Sequence, residues 1–90
     1  MTTAEICVQA GAKLLDRNRP GWEREIDLHE MDVSDPWRCP LAQLFGSYTE
    51  GLDRLDVNDS MVFGFESGRA DYSDLTFAWR ELITERRTSA

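Results

Sequence analysis

Between Leu41 and Leu55 the apolar residues Leu41, Leu44, Phe45, Tyr48, Leu52 and Leu55 return every three or four positions. Between Tyr72 and Ile83 the residues Tyr72, Leu75, Ala78, Trp79, Leu82 and Ile83 do the same. That interval is the repeat of one face of an α-helix, not the alternation of a half-buried strand. Two amphipathic helices each need something against which to bury their apolar stripe. The chain is therefore expected to be all-α, a single compact bundle of four to five short helices. Its 90 residues suffice for one domain and not for two, so residues 1–90 are read as one unit with 1–3 and 88–90 frayed.

The remaining segments fit this scheme with local punctuation. Ile6, Cys7, Ala10, Leu14 and Leu15 predict a first helix over Glu5–Leu15, capped by Thr3 and stopped by Asn18-Arg19-Pro20-Gly21. Trp22 to Met31 reads as irregular and mostly helical, a short helix from Pro20 to Ile26 followed by a turn that Asp27 caps. Asp35 to Arg38 is a turn, and the main helix starts at Cys39 or Pro40 and runs to Leu55. Gly46 and Gly51 lie inside it, each weakening it by up to about 1 kcal/mol relative to alanine. Asn58 or Asp59 and then Gly64 bracket a short helix through Met61–Phe63, with a short strand at 61–65 as the rival. The last helix begins at Asp71, whose carboxylate caps it, and Phe77 falls off its apolar stripe.

Charge narrows the functional classes. Seventeen acids against ten bases give a formal net charge of −7. The acids cluster: Glu23 to Asp35 holds six with only Arg24 to balance them, and Glu50 to Asp74 holds seven with only Arg54 and Arg69. Such a surface repels nucleic acid and favours solubility or a basic protein partner, solvated helix faces being the plainer reading. No apolar run is long enough to span a bilayer, so no membrane association is expected. The first residues carry Glu5 and no basic start, so the expected location is cytoplasmic, with Cys7 and Cys39 reduced.

Chemistry-bearing residues are sparse. Cys39 stands at a helix start beside Arg38, a setting that lowers a thiol pKa, and His29 is the one histidine that could serve it as a base. A buried structural cysteine is the favoured reading. Cys7, His29 and Cys39 have no metal-site spacing, and the acidic window Asp53–Asp59 lacks the glycine and closing glutamate of a calcium loop. No phosphate-cradling glycine loop or nucleophile elbow is present, so no catalytic residue, cofactor or metal is assigned. Trp79 belongs to an apolar stripe and is read as core. Trp22 and Trp37 sit in turns, and the favoured reading of each is a large ring that locks its loop onto the core; with arginines nearby in sequence they are also, together with Arg38 and Phe77, the candidate partner-binding residues.

Three stretches carry a resemblance: LLDRNRPGWEREIDL, LAQLFGSYTEGLDRL, and VFGF followed later by YSDLTFAWRELI. Their marked positions are Leu15, Asp16, Arg17, Pro20, Gly21 and Trp22; Gln43, Leu44, Phe45, Gly46 and Tyr48; then Thr76, Trp79 and Arg80. Over Ala12 to Ile83 the chain resembles small actinobacterial and actinobacteriophage proteins. Nine arginines against one lysine agree with a GC-rich genome. The resemblance implies no activity and no site residue. The expected function is a non-enzymatic acidic protein-binding domain, an accessory factor that modulates a host protein. The alternatives are a nucleic-acid mimic that inhibits a DNA- or RNA-handling protein, and a small thiol-dependent enzyme or redox protein using Cys39.

Overall fold

The computed structural model describes residues 1–89. Among them it contains five helices and no strand. Helix α1 (Thr3–Asn18) is started by a capping box in which the Thr2 hydroxyl accepts from the Glu5 amide at 3.1 Å. The Glu5 carboxylate in turn accepts from the Thr2 amide at 2.9 Å. The cap is thus Thr2, one residue before the position expected. Past Asn18 the chain turns through Gly21 at φ 84°, a left-handed geometry that suits glycine, into the single turn of α2 (Trp22–Glu25).

The main helix predicted from Cys39 or Pro40 to Leu55 is two helices. Helix α3 (Pro40–Phe45) ends where Gly46 takes φ 99°. Helix α4 (Tyr48–Leu55) then starts afresh, with the Ser47 hydroxyl accepting from the Glu50 amide at 3.1 Å. The break folds α4 back on α3. Gly51 makes this approach possible, because a Cβ there would lie 2.7 Å from the Cβ of Leu41. The apolar stripe therefore belongs to two elements that share one side of the core.

Neither the helix expected over Met61–Phe63 nor the rival strand at 61–65 forms. Ser60–Gly64 is a turn whose bonds run from Phe63 N to Ser60 O and from Gly64 N to Met61 O, a three-residue spacing too tight to propagate an α-helix. Gly64 is left-handed at φ 73°, and its carbonyl accepts from the Trp79 indole N–H at 2.8 Å instead of a neighbouring strand. Helix α5 (Tyr72–Ser89) starts as expected, with Asp71 accepting from the Asp74 amide at 2.8 Å. Thr88 and Ser89 bond back to carbonyls one turn earlier and remain in α5, and Thr3 already belongs to α1. Ala90 lies outside the described residues.

α1 packs along α5, α3 pairs with α4, and α2 bridges α3 and α5. The radius of gyration is 11.5 Å, against about 12 Å for a compact chain of this length. At the centre the Trp79 ring stacks on Phe65 and meets Trp22 edge-on, both at 5.7 Å between centroids. Gly11 sits over this cluster, where a side chain would collide with the Phe63 carbonyl and the Trp79 ring.

Residues 26–39 contain no helix, yet they bury Ile26, Met31, Val33 and Cys39. Polar side chains from α3 and α5 hold them. The Gln43 amide accepts from Asp27 N and donates to the carbonyls of Asp27 and Arg38. The Thr76 hydroxyl accepts from Val33 N, Arg80 donates to Met31 O, and Arg87 donates to the carbonyls of Glu23 and Ile26.

Candidate protein-interaction surface

The inward stripe of α5 leaves Phe77 on the outside, 65% exposed. A single exposed apolar side chain is ordinary on a protein surface; what sets Phe77 apart is that it borders concave surface on both sides. Two clefts flank it. One, of about 620 Å³, lies between the first turn of α1 and the length of α5. Its apolar part is Ala4, Ala70, Phe77 and Ala78, and its rim carries Glu5, Asp74, Glu81 and Glu85 against Arg69. The other, of about 550 Å³, lies between α5 and the 31–38 segment and includes Asp32, Arg38, Thr76 and Arg80.

The four candidate residues have different fates. Phe77 and Arg38 line the second cleft together, and Phe77 alone reaches the first. Arg38 is an exposed side chain that donates to Glu30 O at 2.9 Å and pairs with the Glu30 and Asp35 carboxylates. Trp37 is 73% exposed, in a turn fixed by its amide donating to Asp35. Trp22 is not a surface anchor: it is fully buried, with its indole N–H donating to Asp16 at 2.9 Å and the Arg86 guanidinium 5.6 Å above its ring. Arg86 grips Asp16 through both nitrogens, which holds that carboxyl below the usual range. The turn tryptophan thus joins α1, α2 and α5 from inside.

Cys39 is also buried. Its sulfur is the N-cap of α3 and accepts from Ala42 N at 3.4 Å. Burial pushes its thiol pKa up, outweighing the backbone donors that pull it down. Arg38 points instead to Glu30, and His29 is exposed. Cys7 and Cys39 are both free thiols. Among the described residues no His, Cys, Asp and Glu side chains gather as a metal site, and no helix is long and apolar enough to cross a membrane.

Asp16, Trp22, Gln43, Thr76, Trp79 and Arg80 each make a hydrogen bond that joins separate parts of the chain. The acid-rimmed cleft is what the sequence reading missed. Its one available signal is the spacing of Asp74, Ala78, Glu81 and Glu85, which repeats along one face of α5. What the molecule presents is a small all-α fold with the exposed Phe77 ring between two clefts. No family model, curated protein or solved structure matches the chain.

Proposed function

We propose that this chain is a non-enzymatic, acidic protein-binding domain whose contact surface centres on Phe77. The observation that carries the reading is that ring, largely exposed while the other apolar side chains of α5 are buried or half-buried, and bordered by two clefts. A net charge of −7 adds long-range attraction for a basic partner, raising its rate of encounter. In this reading the chain acts in the cytoplasm as an accessory factor that modulates a host protein.

The test is affinity capture from an actinobacterial lysate at low salt and again above about 0.3 M, where screening is strong. Wild type is compared with Phe77→Ala and Trp37→Ala. The expected result is a basic protein retained by wild type, weakened by salt and lost with Phe77→Ala. Identical captures by wild type and Phe77→Ala would overturn the reading. A nucleic-acid-handling protein whose retention ignores Phe77 but is abolished by salt would favour mimicry instead.

A further inference from the structure

The two clefts beside Phe77 differ in what they can accept. In the one formed with residues 31–38, both arginines are committed to the protein itself: Arg38 to Glu30 and Asp35, Arg80 to the Met31 carbonyl. In the α1/α5 groove the charges are free. Glu5 is engaged by the cap of α1, but among the described residues no cation pairs with the carboxylates of Asp74, Glu81 or Glu85. Four carboxylates face a single guanidinium, that of Arg69, around a floor of alanines and the Phe77 ring.

The groove also has a pitch. Asp74, Ala78, Glu81 and Glu85 climb one face of α5 over eleven residues, about 16 Å of helix or three turns. Acids at two-turn and one-turn intervals along that face, with Phe77 beside them and Ala4, Ala70 and Ala78 at the base of the cleft, are complementary to another helix that carries cations beside an apolar stripe. An extended peptide repeats same-side groups every ~6.7 Å and drifts out of register with the 5.4 Å pitch.

Resting on the protein-binding reading above, we propose that the α1/α5 groove seats a cationic amphipathic helix of the partner protein. Its apolar stripe packs on Phe77 and the alanine floor, and its lysines or arginines face Asp74, Glu81 and Glu85. The mode is helix-in-groove recognition, in which apolar anchors give affinity and the flanking charges fix register.

The probe is an 18-residue amphipathic peptide of leucine and lysine, with a leucine–glutamate peptide of the same pattern as control. It is titrated into the isotope-labelled full chain while amide shifts are followed. The expected result is movement confined to Thr3–Glu5, Arg69, Ala70 and Asp74–Glu85, with no response to the acidic peptide. Phe77→Ala and Glu81→Lys should each weaken binding at least about tenfold. Asp53→Lys makes the same charge change away from the groove and should alter affinity less than about twofold. These side chains are exposed, so thermal melting of the variants should match wild type.

Equal losses with Glu81→Lys and Asp53→Lys would mean diffuse charge attraction and would overturn the proposal. So would shifts centred on Asp53–Asp59, or no binding of the cationic peptide at all. In each of those cases a lysate capture that still depends on Phe77 leaves the protein-binding reading standing. A capture indifferent to Phe77 removes that reading whatever the peptide does.

Discussion

The α1/α5 pair and the 26–39 segment bury comparable kinds of side chain by opposite means. In the first, long helices satisfy their own backbone, and apolar stripes meet over Trp79. In the second, the backbone has no ladder of its own, so side chains from elsewhere supply the missing partners. Gln43, Thr76, Arg80 and Arg87 reach its amides and carbonyls. Regular structure makes a segment self-sufficient in hydrogen bonds. Irregular structure can be equally buried, but it then depends on a few specific polar residues.

That contrast is open to attack, and the heaviest blow falls on the helical pair. Trp79→Ala should cost about 3–5 kcal/mol in chemical denaturation, because it removes the ring shared by Trp22 and Phe65 and leaves Gly64 O unpaired. Leu44→Ala should cost about 2–5 kcal/mol by opening a cavity where α3 and α4 meet the core, and Cys39→Ser should cost less. Gln43→Ala should cost about 0.5–1.5 kcal/mol, since it removes three hydrogen bonds whose exposed backbone partners then turn to water. Its signature should be local: faster amide exchange in residues 26–39, with α1 and α5 protected as before. Uniform exchange across the molecule would erase the distinction between the two regions.

Smaller effects sharpen it. Asp16 ties α1 to α5 through Arg86, and its pKa is depressed by that guanidinium. A depressed carboxylate stabilises the fold above its unfolded pKa of about 3.9 and stops doing so as pH falls through the lower folded value. Asp16→Asn should therefore be less stable at neutral pH and lose less stability on acidification, which a pH series of melts will read. Cys39 should react with a thiol reagent more slowly than Cys39 in the denatured chain, and Phe77→Ala should change stability by less than about 0.5 kcal/mol.

How much of this was legible follows from the same contrast. The helical pair announces itself, because the 3.6-residue period and the Asp71 cap are local signals. The errors there concern punctuation that was also local. Thr2-Thr-Ala-Glu5 and Ser47-Tyr-Thr-Glu50 each place a hydroxyl residue three before a glutamate, the pattern of a helix start. Reading them would have moved the first cap to Thr2 and split the helix at Gly46. The ties across residues 26–39 were not legible, because Arg87 to Ile26 and Thr76 to Val33 span dozens of residues. Phe77 was visible as a residue off the stripe. The acidic groove beside it was not, since it depends on where the first turn of α1 comes to rest.

The placing of the three indoles has a spectroscopic consequence. Trp22 and Trp79 lie edge-to-face in the dry interior, whereas Trp37 stands in water. An aqueous quencher added to the native protein should extinguish the red-shifted part of the emission and spare the blue. Trp37 is then a reporter already built into the surface, able to register an arriving protein without any dye.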